Sequence, residues 1–328
     1  MFRCLYVYMR TTINLEDKLY KQLINQCVER YGTSKKLSLL INSCLTRALS
    51  PAAQPPSKAI PGPVSVPPLK IEQRKTESYI HRELEKKGGL LFAVIDPLDH
   101  PSLDAAVQTA KNADEAGCDA ILIGGSTGVQ GKMLDDAAIH IQQNTRIPII
   151  LFPGNIGTLT KYADAVYFMS LLNSQNPYWL STAQMLAAPN VRELGIEPLP
   201  TGYIVVEPGG TVGHIGEANL IPRNKPKLAA ALALAAQYMG FRIIITDAGS
   251  DPKEGHVPLE MVAAVRKVIS VPYVVAGGIR TPEQAKNVIA AGADIVQVGT
   301  AFEKHGNVRK IREMVDAVRE GAKQKKKV

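Results

Sequence analysis

The sequence predicts an α/β protein: a modified (β/α)8 TIM barrel with a degenerate third helix, preceded by a small β-α-α module. Three observations carry this prediction. Eight short, β-branched, almost wholly apolar runs recur between residues 90 and 300, as parallel strands buried on both faces do. Helix-length segments separate most of them, the alternation that closes a barrel. A Pro-rich stretch at residues 50–69 cuts this region off from what precedes it, because proline continues neither a helix nor a central strand.

At the front, Arg10-Thr11-Thr12-Ile13-Asn14-Leu15 alternates polar and apolar, the period of a half-buried strand. Arg10, Thr12 and Asn14 share one face; Thr11, Ile13 and Leu15 share the other. Residues 17–31 are amphipathic, Gly32-Thr33-Ser34 supplies a helix stop and an N-cap, and residues 35–49 form a second helix. This segment resembles ribbon-helix-helix DNA-binding modules. The resemblance implies that two chains pair their strands and lay the ribbon in the major groove, with Arg10, Thr12 and Asn14 facing bases. About 40 residues bury too little surface to fold alone, so a homo-oligomer is expected, and oligomerisation without DNA is the alternative use of the module. Met9 directly precedes the strand, and residues 1–8 are read as an alternative start.

From residue 70 to 322 the pattern is that of the barrel, and residues 323–328 form a basic tail. The strands fall at residues 90–96, 120–126, 148–154, 165–172, 201–208, 242–249, 272–278 and 295–300, with helices at 102–116, 178–194, 225–239, 259–269 and 282–291. Between the third and fourth strands, residues 155–164 are too few for a full helix. A doubly wound sheet would show fewer strands and an early GxGxxG; neither is present.

Composition narrows the class of protein. At 328 residues, 45% hydrophobic and 21% charged, the chain reads as a globular protein. No apolar run reaches the roughly 18 residues of a membrane span, and residues 1–8 lack the apolar core of a secretory signal. Cys4, Cys27, Cys44 and Cys118 show no metal-ligand spacing, so a cytoplasmic protein with free thiols is expected. Up to residue 87 there are 15 Lys and Arg against 7 Asp and Glu, and thereafter 23 against 23. A basic front end on a neutral body points to an anionic partner for the front end.

Barrel active sites lie at the C-terminal strand ends. Here those ends read Asp96, Gly124-Gly125-Ser126, Phe152-Pro153-Gly154-Asn155, Leu172-Asn173, Glu207-Pro208-Gly209-Gly210, Asp247-Ala248-Gly249-Ser250, Ala276-Gly277-Gly278 and Gly299-Thr300. Glycine pairs closing the last two strands are the usual phosphate site of such barrels, built from backbone N–H groups. A carboxylate beside a phosphate needs a cation, and the hard oxygens of Asp96 and Ser126 suit Mg2+. Asp247 stands where it could act as general base on a hydroxyl. His214 and His256 are read as loop residues.

From about residue 90 to 303 the chain also resembles the geranylgeranylglyceryl phosphate synthases. The stretches that carry the resemblance are Ile95-Asp96-Pro97, Ile123–Ser126, Phe168–Ser174 with Asn176-Pro177-Tyr178, Gly202–Gly213, Ile221–Pro226, Ala276–Pro282 and Gly299-Thr300. It implies Mg2+-dependent transfer of a geranylgeranyl group from its diphosphate to the 3-hydroxyl of sn-glycerol 1-phosphate, the first ether-bond step of archaeal-type phospholipid biosynthesis. It also implies Mg2+ on Asp96 and Ser126, glycerol phosphate on Asp247, Ala248, Gly249, Ser250, Gly277, Gly278, Gly299 and Thr300, and a prenyl groove near Phe168, Tyr178 and Trp179. Two departures stand out. Where the family carries Tyr-Leu-Glu-Ala-Gly-Ser-Gly, this chain reads Ile245-Thr246-Asp247-Ala248-Gly249-Ser250-Asp251, and Leu98-Asp99 replaces the usual Asp-Lys after the first-strand motif. Two alternatives stay open: a barrel of the same superfamily doing isomerase or lyase chemistry, and, because of the shortened carboxylate, a DNA-binding regulator whose impaired barrel senses a phosphorylated ligand.

Overall fold

A computed structural model of the chain describes residues 17–31, 41, 75–124, 129–305 and 307–325. The chain divides into two compact units, Met1–Pro68 and Leu69–Val328. In the first, helix α1 spans Asp17–Tyr31. Arg10, Thr12, Asn14 and the stop-and-cap at 32–34 lie outside the described residues, as does Ser126.

The second unit is a closed barrel of eight parallel strands in sequence order. The first half runs α2 (Lys75–Lys87), β1 (Leu90–Ile95), α3 (Leu103–Ala116), β2 (Ala120–Ile123), α4 (Gly131–Asn144), β3 (Ile149–Leu151), β4 (Ala165–Leu171) and α5 (Ala183–Leu194). The second half runs β5 (Glu197–Val205), α6 (Gly210–Ile215), α7 (Pro226–Tyr238), β6 (Ile243–Asp247), α8 (Leu259–Arg266), β7 (Tyr273–Ala276), α9 (Pro282–Ala290), β8 (Ile295–Val298), α10 (Thr300–His305) and α11 (Val308–Gln324). The ring closes where β8 pairs with β1, Leu90 to Ile295 through Ala93 to Val298. No helix joins β3 to β4, as the short spacer predicted. A π-helical turn at Tyr178–Thr182 leads into α5. Among the described residues no helix is long and apolar enough to cross a membrane.

Strand alternation sorts the side chains into two compartments. One set fills the barrel, including Leu90, Phe92, Leu122, Ile150, Tyr167, Leu199, Tyr203, Ile245 and Ile295. The other faces outward onto the helices, for example Leu91, Ile204, Ile244 and Val296 against Ala233, Val262, Val288 and Val318. Helix starts follow local chemistry. Ser102 caps α3 by accepting from Ala105 N–H at 3.2 Å, and Thr281 with Gln284 forms a capping box on α9, with Pro282 at its first turn.

Some element boundaries differ from expectation. Strand β5 begins at Glu197, four residues before the predicted start at 201, and runs through Pro198 and Pro200. Those residues pair with β4, whereas β6 joins only from Thr201 onward. The prolines' missing N–H groups therefore face no strand, which is where a sheet tolerates them. Helix α11 reaches Gln324, and Lys325 ion-pairs with Asp294, so the basic tail starts later than residue 323. Helices α2, α4, α6, α10 and α11 carry no mark in the pattern read above; α4, for instance, opens at Gly131 without a side-chain cap.

One buried charge ties the bottom of the barrel together. Asp119 is fully buried at the start of β2. Its carboxylate accepts from Leu91 N–H on β1 at 2.8 Å, Lys87 of α2 at 2.7 Å and Arg319 of α11 at 2.8 Å to each oxygen. Every lone-pair direction is used, which a buried ion needs. Removing the carboxylate leaves the Arg319 guanidinium without its ion pair and Lys87 with Glu83 alone. Asp119→Ala is therefore predicted to cost about 3–5 kcal/mol and to lower Tm by roughly 10 °C in a thermal melt.

Candidate active site

The C-terminal ends of the strands surround a polar pocket. It is lined by Asp96 and Asp99 after β1, Gly249, Ser250 and Asp251 after β6, Gly277, Gly278 and Arg280 after β7, and Gly299 and Thr300 after β8. Seven of the eight residues expected to hold glycerol phosphate thus meet in one cavity. Ala248 does not: it is fully buried in the outer core with Ile204, Val257 and Val275, because strand alternation turns it away from the barrel.

Two of the glycines also answer a packing demand. At Gly249, whose φ is +88°, an added Cβ would stand 2.5 Å from the carbonyl carbon of Gly209. At Gly278, φ +72°, it would stand 2.6 Å from the carbonyl carbon of Gly255. These residues let neighbouring strand-end loops pack backbone against backbone, and the pocket's rim is the result. Arg223 braces the same rim by donating to the carbonyls of Glu207, Glu254, Gly255 and His256 at 2.9–3.4 Å.

Asp247 sits on the pocket floor, 6% exposed. One oxygen accepts from the Tyr203 hydroxyl at 2.6 Å, the other from Gly249 N–H at 2.6 Å. Burial pushes its carboxyl above the ordinary carboxylate range, while the two donors pull it back. Burial and the nearby Asp247 charge push the Tyr203 hydroxyl well up. Tyr203 therefore keeps its proton and donates a hydrogen bond to the carboxylate. Asp96 is half-buried after β1, and one of its oxygens accepts from Leu98 N–H at 3.0 Å. Its carboxyl is raised by burial and by the charge of Asp99. Two carboxylates facing one pocket with hard oxygens fit a divalent cation such as Mg2+, which binds through few carboxylates and keeps room for phosphate. Among the described residues no group of three or more His, Cys, Asp or Glu could hold a metal by itself.

A second, apolar pocket opens beside the first, toward the β3–β4 connection that lacks a helix. Ile156, Leu159, Phe168, Leu171, Trp179 and Val191 are among its lining residues. Tyr178 is not; it stands edge-on to Trp179 with ring centroids 5.0 Å apart. Pro153, Gly154, Met169, Tyr203 and Val212 line both pockets. The site thus has a polar half and an oily half that meet beside the Asp247 carboxylate. His214 and His256 line neither pocket.

Sequence reasoning missed Asp99, Tyr203, Arg280 and Gln297 as lining residues. Only Gln297 had a local signal, a polar side chain in the otherwise apolar run Ile295-Val296-Gln297-Val298. Arg280 is the one cation among the residues lining the polar pocket, and Asp251 accepts from it at 2.8 and 3.0 Å. Asp251 itself stands at φ +47° where the usual residue is glycine.

Residues 85–321 match the PcrB family. The geranylgeranylglyceryl phosphate synthase of Pyrococcus horikoshii is 52% identical over 247 residues, 75% of this chain and 96% of that protein. The protein of the same name from Thermococcus sibiricus is 51% identical over 251 residues, 76% of this chain and 97% of its own length. Among solved structures, (S)-3-O-geranylgeranylglyceryl phosphate synthase from Thermoplasma acidophilum, in complex with its substrate sn-glycerol-1-phosphate, superposes with a TM-score of 0.70 at 38% identity. That match covers 74% of this chain and 98% of the other.

The Tyr203 hydrogen bond favours the charged form of Asp247, so its removal should raise the Asp247 pKa further. In Tyr203→Phe, a carboxyl titration followed by infrared difference spectroscopy with Asp247→Asn as the blank should shift to higher pH than in the parent. An unchanged titration would show that the two groups are not coupled.

Proposed function

The chain belongs to the PcrB family, and on that footing we propose that it is a prenyltransferase joining a geranylgeranyl group to sn-glycerol 1-phosphate. The observation that carries the reading is the meeting of an apolar and a polar pocket at a buried carboxylate. A water-soluble phosphate and a long hydrocarbon must be brought into one reaction, and this site offers each its own compartment. The 3-hydroxyl of the glycerol attacks the allylic carbon of the prenyl donor, the carbon–oxygen bond to diphosphate breaks, and an ether bond forms. Asp247 takes the hydroxyl proton, and diphosphate departs with the electron pair of the broken bond.

The chain's own residues do the positioning. Backbone N–H groups around Ser250, Gly277, Gly278, Gly299 and Thr300 hold the phosphate, which fixes the glycerol relative to Asp247 and removes most of the entropy cost of the encounter. Tyr203 aims the carboxylate from across the strand pair, with 2.6 Å between hydroxyl and oxygen. It thereby supplies order to a side chain one methylene shorter than the glutamate usual in the family. Asp96 and Asp99, with Ser126 from the end of the second strand, would hold Mg2+; when bound it neutralises the negative charge of the diphosphate leaving group. The apolar walls keep water from the allylic cation, which water would otherwise quench.

The basic surplus of residues 9–49, with 7 Lys and Arg against 3 Asp and Glu, and the helix at Asp17–Tyr31 favour a second role for the front module, binding duplex DNA as a dimer. Such binding neutralises phosphates and so weakens steeply with salt.

Purified full-length chain given Mg2+, sn-glycerol 1-phosphate and geranylgeranyl diphosphate should form the ether product. Chelation with EDTA should abolish turnover, and added Mg2+ should restore it. Asp96→Asn should lose at least about 100-fold, and Asp247→Ala about 100- to 10,000-fold in kcat. Because a base works only when ionised and burial raises Asp247, the acid limb of kcat/KM should lie above the ordinary carboxylate range. Full turnover in Asp247→Ala would remove it as the base. In fluorescence anisotropy with duplex DNA, the full chain should lose at least about tenfold in affinity between 50 and 200 mM salt. A chain lacking residues 1–68 should not bind at all, and Arg10→Ala should blunt sequence preference more than overall affinity.

A further inference from the structure

Inside the barrel, Gln297 of β8 is 3% exposed, and its Nε2 donates to the Tyr167 hydroxyl of β4 at 2.8 Å. Its Oε1 is buried and has no hydrogen-bond partner. Whichever way the amide is turned, one polar atom is engaged by Tyr167 and the other is left over. A buried, unpartnered amide atom is costly, and folded proteins keep few of them without a use. Gln297 also lines the polar pocket. It is therefore a preoriented polar group at the pocket wall, fixed from behind, with one amide atom for which the protein supplies no partner.

Strand register shows where that partner would lie. Asp247 pairs with Ala276, and Ala276 pairs with Gln297. The three residues form one row across β6, β7 and β8, and Asp247 and Gln297 stand about 10 Å apart at the backbone, two strand spacings. Between them is only the methyl of Ala276. Above the row are the loops of Gly277, Gly278, Gly299 and Thr300, all lining the same pocket. A three-carbon phosphate anchored on those loops spans this row, with its reacting hydroxyl on the Asp247 side. Its middle carbon then lies toward Gln297.

Resting on the proposed function, we infer that Gln297 is the specificity residue for the non-reacting C2 hydroxyl of the glycerol phosphate. The amide takes up the hydroxyl as hydrogen-bond partner, and Tyr167 holds the amide in place. The same contact tells glycerol phosphate from a phosphorylated diol that lacks the middle hydroxyl. It also offers the polar floor that Ile245, standing where the family has tyrosine, does not.

The test compares sn-glycerol 1-phosphate with propane-1,3-diol monophosphate, which keeps the phosphate and the reacting hydroxyl and lacks only the C2 hydroxyl. With the full-length parent, kcat/KM should favour glycerol phosphate by about 10- to 100-fold, the worth of one buried group left unpaired. In Gln297→Met, of similar size and shape, the preference should fall to nearly one, through a loss on glycerol phosphate that leaves the diol phosphate unchanged. The double variant Gln297→Met/Tyr167→Phe, which removes both polar partners, should show the same collapse, and thermal melts of all three proteins identify any loss that comes from unfolding. Calorimetric binding of the two phosphates to the parent gives the same ratio without turnover. A parent with no preference, or a Gln297→Met variant that keeps it, overturns the inference while leaving the prenyltransferase reading intact. Failure to bind or turn over either phosphate overturns that reading, and the inference with it.

Discussion

The pairing of β8 with β1 is the contact on which the rest depends. Once that ladder closes, no strand has a free edge, every strand end is fixed relative to the other seven, and the loops that bear the chemistry share one rim. Closure is reinforced from below. Asp119 draws the start of β1, the preceding helix and the last helix of the barrel onto one carboxylate. Asp294, just before β8, does the same for Arg266 and Lys325. The two ionic nodes stand at the strand starts flanking the seam, far from the reacting end. Stability is thus concentrated at one face of the barrel, and the other is left free to carry groups that cost stability.

Asp247 is the clearest of those costly groups. A carboxylate in the interior favours its neutral form, yet the base we propose it to be must be ionised. The protein settles the conflict with two short hydrogen bonds, one from a side chain and one from the backbone. The backbone donor is available because Gly249 adopts a left-handed φ of +88°, which lets the chain turn back over the side chain two residues before it. Replacing the family's glutamate by aspartate and its tyrosine by Ile245 has therefore not left an empty shell; the carboxylate is still held.

Much of the fold was legible in the sequence because burial on both faces writes a strand as a continuous apolar run, and eight such runs leave few architectures. The missing third helix was legible for the plainer reason that ten residues are too few for a full helix and its connections to both strands. What escaped depends on relations between distant elements. Pro198 and Pro200 read as strand breakers until it is known that β6 starts too late to need their N–H groups. Glycines at the strand ends marked the right place for an indirect reason, since they fit against each other's backbones and shape the pocket by doing so. Tyr203 and Gln297 were invisible as site residues because their meaning lies in register and in contacts across the barrel, which no local spacing encodes. The second-strand end around Ser126 and the strand of the front module lie outside the described residues and remain readings of the sequence.

The two pockets that share Tyr203, Met169 and Val212 make the site a boundary between two liquids, one aqueous and one oily, only a side chain thick. A reactant pair that meets there leaves as one amphiphile, with its head on one side of the boundary and its tail on the other. Each methylene carried back into water costs about 0.8 kcal/mol, so a twenty-carbon tail has almost no tendency to dissolve. Departure is favourable only into a phase that accepts hydrocarbon. Release from a site built this way is a partition between phases, and the phase that receives the product decides whether it leaves.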